Sequence, residues 1–287
     1  MFELSSVYQL VHHIFPFACL ESRFMQQAMV GLLLLSPMTA AMGVQVVNFR
    51  MAFFADAISH SAFAGVAMGL ILAWHPHIAM PIFGVLVGIW IMATQRRSRK
   101  LSSDTVIGVF FSAVVAFGLA VVSRDPNLSR DLQQFLYGDI LTIADEDIFY
   151  MGLLFCILAC FQVIGYNRML YIGFDPMLAE VHRVRVAIYQ YVFAALLSLV
   201  VILSVWAVGV LLVTAMLIVP AAAARNMARS AGSMFWWAIG IGLSSSISGL
   251  ILSAQDWAQT ATGATIILVA FGWFLASMAV ARFGHNR

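Results

Sequence analysis

Asp56 and His60 stand four residues apart in a stretch, FFADAISHSAFAGVAMGLILAW (53–74), that otherwise has the composition of a membrane span. A carboxylate at the centre of a membrane helix costs about 2.5–3.5 kcal/mol on insertion scales, so an intramembrane ionisable pair calls for a reason. The i, i+4 spacing puts both side chains on one helix face. A carboxylate and an imidazole are also ligands for zinc and similar divalent metals. Two readings compete: a station on a metal path, or a hydrogen-bonded pair that fixes helix packing. Zinc takes three or four ligands. A metal role for this pair therefore needs water, another helix or a second copy of the chain to supply the rest.

At about 100° per residue, His60 lies about 40° from Asp56, with Phe63 and Ala67 within about 20° of it. Gly65 and Gly69 fall on the opposite face as G-x-x-x-G, a spacing that lets helices approach closely. Gly84 and Gly88 repeat it in the next apolar segment, which predicts tight packing between the two.

The elements that hold these residues are membrane helices. Of 287 residues, 62% are hydrophobic and only 10% charged, against about 25% charged in soluble domains. The fold class expected is all-α: a polytopic bundle forming one transmembrane domain over 1–287, with an external segment at 1–23. A bilayer needs about 20 apolar residues per helix. Nine candidate spans satisfy this: 24–46, 54–74, 77–95, 104–123, 146–165, 187–206, 209–225, 233–252 and 262–281. Only Ala207–Val208 separate the sixth from the seventh, so eight and nine spans both fit. No Lys or Arg precedes Arg23, so the N-terminus lacks the basic region of a cleavable signal peptide. Residues 7–20 read as an interfacial or re-entrant piece.

With nine spans and an external N-terminus, 12 of the 15 Lys and Arg fall on inner segments and only Arg23, Arg124 and Arg130 outside. The positive-inside rule then makes the C-terminus cytoplasmic. The net charge of +2 implies no nucleic-acid partner. Two connecting segments carry structure of their own. Outside, RDLQQFLYGDILTIADEDI (130–148) has the spacing of a surface half-helix. Inside, Asp175 is an N-cap and Pro176 a first helical residue, predicting a short helix Pro176–Val181 suited to docking a soluble partner.

His75 and His77, in WHPH at the outer end of the Asp56 helix, are a candidate outer capture station. They read more simply as exposed loop histidines, as do His12 and His13. His182 and His285 are expected to be cytoplasmic. Cys19, Cys156 and Cys160 form no disulfide framework or CxxC motif and read as small buried hydrophobes. There is no G-x-x-x-x-G-K-[ST] and no H-E-x-x-H, which argues against P-loop ATP binding and a zinc protease.

NFRMAFFADAISHSAFAGVAMGL (48–70) resembles the signature of the ABC-3 permeases, the membrane subunits of bacterial manganese, zinc and iron importers. Ala55 replaces the family's usual Gly, and Phe49 stands where a second Arg is frequent. The likeness continues in order through LSSDTVIGVFFS, RDLQQFLYGDILTIADEDI, AVGVLLVTAMLIVPAAAARNMARS and SGLILSAQDWAQTATGATIIL, covering about 24–281. The external R-D-L…L-(F/Y)-G-D segment is most similar to the zinc-uptake branch. Phe63–Ala64–Gly65 stands where the manganese branch more often has LPG.

The resemblance implies a homodimeric permease in the bacterial inner membrane, N-terminus periplasmic, served by two cytoplasmic ATP-binding subunits and a periplasmic metal-binding protein. It implies that Asp56 and His60 line the metal path, with no permanently bound cofactor and a transported divalent metal, Zn2+ first. The coupling helix it implies, about 174–182, is Phe174, Asp175, Pro176, Met177, Leu178, Ala179 and Glu180. Its sequence departs from the family's run of small residues after the Ala. A Mn2+ or Fe2+ permease, a carrier working without an ATPase, and a membrane metalloenzyme remain as alternatives.

Overall fold

A computed structural model describes residues 5–98, 101–123 and 140–284. Every described element is helical. In chain order these are α1 (Ser5–Ile14), α2 (Arg23–Asn48), α3 (Ala52–Leu72), α4 (Pro76–Arg97), α5 (Ser103–Val122), α6 (Asp145–Phe174), α7 (Pro176–Val181), α8 (Val186–Val208), α9 (Val210–Met227), α10 (Ala231–Ser253) and α11 (Thr262–Gly284). Short 3-10 turns occupy Ala18–Glu21 and Ile140–Thr142. Among the described residues, eight helices are long and apolar enough to cross a membrane: α2, α4, α5, α6 and α8 to α11. α3, with 21 residues, has the same length and carries Asp56 and His60.

Each of the nine expected spans has its helix. The sixth and seventh are parted at Gly209, whose φ of 84° and ψ of 163° end α8 and start α9. Only glycine adopts that conformation without strain, so one residue breaks an otherwise continuous apolar run. α6 is 30 residues long and outruns its expected span by a further two turns or so at its C-terminal end. Pro37, Pro81 and Pro220 lie inside helices, as membrane helices allow when neighbouring groups satisfy the freed carbonyls. Polar residues set the starts: Ser102 accepts from the Thr105 amide at α5, and Ser230 and Ser233 form a reciprocal capping box at α10.

The chain divides into two compact units. One is drawn from the described residues of Met1–Val44, Gly138–Ala159 and Ala207–Arg287. Within it α9, α10 and α11 pack on one another, and the Ser36 and Ser246 hydroxyls hydrogen-bond at 3.0 Å. Gly43 lets α2 press against α9: a β-carbon there would sit 1.9 Å from the Leu217 carbonyl oxygen. Gly43→Ala is expected to destabilise the protein by about 1–3 kcal/mol, since backbone must move. Gly240→Ala, with nothing within 4 Å of the added carbon, is expected to be neutral or mildly stabilising. Thermal midpoints of the two variants in detergent check this, and equal midpoints would contradict it.

The N-terminal segment, read as an interfacial or re-entrant piece, contains the amphipathic α1. The Asp145 carboxylate, first residue of α6, accepts from Tyr8, from Gln27 Nε2 at 2.8 Å and from Arg23 at 2.9 Å. Burial, and then the bond to Asp145, pushes the Tyr8 phenol up to about 12.

The second unit is drawn from the described residues of Gln45–Tyr137 and Cys160–Trp206. Here α3 packs on both α4 and α5, and Gln45 Nε2 donates to Gln162 Oε1 at 2.9 Å in a buried pair. The expected half-helix over 130–148 falls mostly outside the described residues, as does His285. Cys156 and Cys160 correct an expectation: both are exposed, not buried. An apolar residue in a membrane chain is free to face lipid or another subunit, so apolar context does not report burial.

Candidate metal path

α3 begins just past a tight turn in which Arg50 adopts φ 55°. Ala55, Ala57, Ile58, Ala62, Ala64 and Ala67 are fully buried and seat the helix in its unit. Asp56 and His60 are half-buried. Among the described residues neither side chain makes a hydrogen bond, so no polar lock forms between them or with those residues. Phe53 and Ile71, each about 60° round the helix from Asp56, are 59% and 60% exposed. Those two lie near the ends of α3; between them Ala64 and Ala67, about 80° and 20° from Asp56, are fully buried, so Asp56 and His60 sit half-buried among covered positions.

Neighbouring helices hold the Asp56 face from its edges. The His60 imidazole meets the Phe111 ring of α5 edge to face, centroids 5.1 Å apart and planes at 84°. One residue back, Phe110 turns instead to Trp90 of α4, centroids 6.4 Å apart. Two turns along α5, a β-carbon on Gly118 would sit 2.6 Å from the Phe63 ring, so glycine makes room for a side chain from the Asp56 face. On the opposite face a β-carbon on Gly65 would lie 2.8 Å from Met80 Cα, and one on Gly69 2.8 Å from Ala79 Cβ. α4 therefore covers the G-x-x-x-G side. Gly84 and Gly88 do not face α3 in return: they face Ile202 and Ser198 of α8.

His75 is the residue before α4 and is exposed. The His77 ring lies 4.2 Å from that of Trp206. Twelve residues of α3, about 18 Å of rise, separate His60 from the end of the helix at Leu72. The structure does not bring the two histidine stations together. Among the described residues there is no cluster of three or more metal-ligating side chains. Among the described residues Asp56 and His60 are thus two potential donors on one helix, short of the three or four that zinc takes.

At the other sequence feature, the Asp175 carboxylate caps α7 by accepting from the Met177 and Leu178 amides at 2.8 and 3.4 Å. Ala179 is buried and anchors the turn, while Phe174, Met177, Leu178 and Val181 are 81, 74, 51 and 78% exposed. Asp175, Pro176 and Glu180 are exposed as well. The chain turns just past α7 at Arg183, φ 60°. Arg168 of α6 hydrogen-bonds the Tyr189 hydroxyl and Arg96 of α4 the Gln190 side chain of α8, tying the helix ends around this turn.

The sequence reading missed Phe111 and the Asp145 cluster. Both depend on which helices become neighbours, and neither has a sequence signal stronger than an aromatic or an acid near a helix end.

The chain matches the ABC 3 transport family over residues 21–281. It is 34% identical, over 86% of its length and 93% of the other's, to the high-affinity zinc uptake system membrane protein ZnuB of Haemophilus influenzae. It is 33% identical to the manganese import system permease protein ScaB of Streptococcus parasanguinis, over 91% and 92% of the two chains. Among solved structures it is similar to PsaBC from Streptococcus pneumoniae in complex with Fab: TM-score 0.77, 29% identity, covering 96% of this chain and 95% of that one.

Proposed function

The chain belongs to the ABC 3 transport family, and we propose that within it the chain is the permease through which a binding-protein-dependent importer moves Zn2+ inward. It is a multi-pass membrane permease subunit of a metal importer. Zinc and manganese relatives stand at nearly equal identity, 34% and 33%, so the choice of zinc rests on the segment RDLQQFLYGDILTIADEDI and on Phe63–Ala64–Gly65, which resemble the zinc branch, and on a nitrogen donor in the pair. An imidazole nitrogen beside a carboxylate suits zinc better than manganese, which favours oxygen donors.

The observation that carries the reading is the half-buried Asp56–His60 pair on one face of α3, whose side chains make no hydrogen bond among the described residues. In the proposed assembly two copies of the chain meet, and Asp56 and His60 of each supply two carboxylates and two imidazoles. The carboxylates offset the ion's charge in a low-dielectric path, and the neutral imidazoles replace water ligands. Two cytoplasmic ATP-binding subunits dock on the α7 turns, and a periplasmic binding protein delivers metal from outside, past His75 and His77. With the Arg50 turn cytoplasmic, Asp56 and His60 lie in the inner half of α3. Alternating access then exposes this station first outward and then inward.

Uptake competition tests the cargo. Cells carrying the chain are expected to accumulate Zn2+, with equimolar Mn2+ or Fe2+ competing weakly, and cells lacking it to lose that uptake. Chain-dependent Mn2+ or Fe2+ uptake that Zn2+ does not inhibit would overturn the zinc assignment and leave the family assignment intact.

A further inference from the structure

We infer that Phe111 is a positioning residue that sets the orientation of the His60 imidazole for the passing metal ion; this rests on the path reading of His60 above. A histidine that ligates a metal is ordinarily aimed by a hydrogen bond from its second ring nitrogen to a carboxylate, carbonyl or water. Among the described residues His60 has no such bond. What touches the ring is Phe111, edge to face, with centroids 5.1 Å apart and planes at 84°. That is a preferred arrangement for two aromatic rings, because the positive edge of one meets the negative face of the other. It restrains the imidazole plane while consuming neither nitrogen. Both remain free to exchange with water or metal, which a transient ligand needs and a permanent one does not.

The neighbouring Phe110 provides an internal contrast. It is the same residue type one position away on α5, but it points at Trp90 on α4, not at the station. If Phe111 only filled space, the two phenylalanines would respond alike to an apolar replacement. If it aims the imidazole, only Phe111 needs a ring. The expected effect also falls unevenly on transport parameters. Capture by the binding protein sets the concentration dependence, whereas the deep station sets turnover. Zinc draws more from a nitrogen donor than manganese does, so misaiming the imidazole weighs more on zinc.

The test uses the full permease co-expressed with its ATP-binding subunit, with zinc and manganese uptake measured side by side. Phe111→Leu is expected to lower maximal zinc uptake about three- to tenfold, the worth of an aromatic pair expressed as a rate. KM and complex yield are expected to stay unchanged, and the zinc-to-manganese rate ratio to fall. Phe111→Tyr, which keeps the ring, is expected to restore zinc uptake to within about twofold, and Phe110→Leu to leave it there. Phe111→Met serves as the second apolar variant should the leucine variant assemble poorly. Equal loss in the tyrosine and leucine variants, an unchanged zinc-to-manganese ratio, or an equal loss in Phe110→Leu would overturn the positioning role. His60→Ala, measured in parallel, separates this from the underlying reading. Loss of uptake there with a silent Phe111→Leu removes only the positioning role, whereas normal uptake in His60→Ala removes both.

Discussion

Asp56→Ala is expected to lower zinc uptake about 100-fold or more while the protein inserts and assembles as well as before. The size follows from the charge. A unit charge 4 Å from another is worth about 4 kcal/mol at an effective dielectric of 20, and about 1.4 kcal/mol corresponds to tenfold. Desolvation of the ion and residual water take back part of that. The stability side points the other way. The carboxylate has no hydrogen-bond partner among the described residues, so alanine strands no buried donor. It also removes a group costing about 2.5–3.5 kcal/mol at membrane depth and places a better helix former in α3. A packing role predicts the reverse pattern: reduced yield and thermal midpoint, with uptake falling only in proportion. Asp56→Asn sharpens the contrast by keeping the shape and removing the charge, and it is expected to fail in uptake as alanine does. His60→Ala is expected to lose about tenfold to 100-fold, since one neutral donor is removed and water can replace it in part. Metal uptake normalised to the amount of assembled permease checks all three.

The second large effect lies on α7. Leu178→Glu is expected to break coupling, so that zinc uptake falls by about 30-fold or more and loaded binding protein no longer stimulates ATP hydrolysis. Phe174 at the end of α6 and Met177, Leu178 and Val181 of the six-residue α7 present exposed apolar surface together. Full burial of such a side chain against a partner contributes about 1.5–3 kcal/mol, and an unpaired charge forced into that contact costs several kcal/mol more. The fold of the chain itself is not at stake, because Leu178 is half exposed and the turn is held by buried Ala179 and capped by Asp175. ATPase activity and uptake measured on the same preparation decide the matter. Normal stimulation of hydrolysis together with normal uptake would show that α7 is not the docking element.

Much of this architecture is readable from the chain, for reasons visible at particular residues. Apolar runs of bilayer length mark the nine long helices because lipid demands them. Asp175–Pro176 fixes the start of α7, because the cap and the proline act locally. Gly209 carries no such local signal, and its observed φ of 84° is what separates α8 from α9. Contacts between helices were the harder part. Gly65 and Gly69 do meet α4, yet Gly84 and Gly88 on α4 turn to Ile202 and Ser198 of α8. Helix periodicity gives a face but not the neighbour that face will meet. The same gap hid the Phe111–His60 contact, and it made exposed Cys156 and Cys160 look like core residues. In a membrane chain a lipid-facing side and a buried side share one composition.

The central claim is that Asp56 carries metal through a permease driven by a separate ATPase. Zinc accumulation in proteoliposomes holding this chain, with and without its ATP-binding partner, tests it most directly. The account predicts ATP-dependent accumulation when both subunits and loaded binding protein are present, and none when the partner is omitted or Asp56 is alanine. Zinc uptake by the chain alone without ATP, or undiminished uptake by the Asp56→Ala complex, would contradict it.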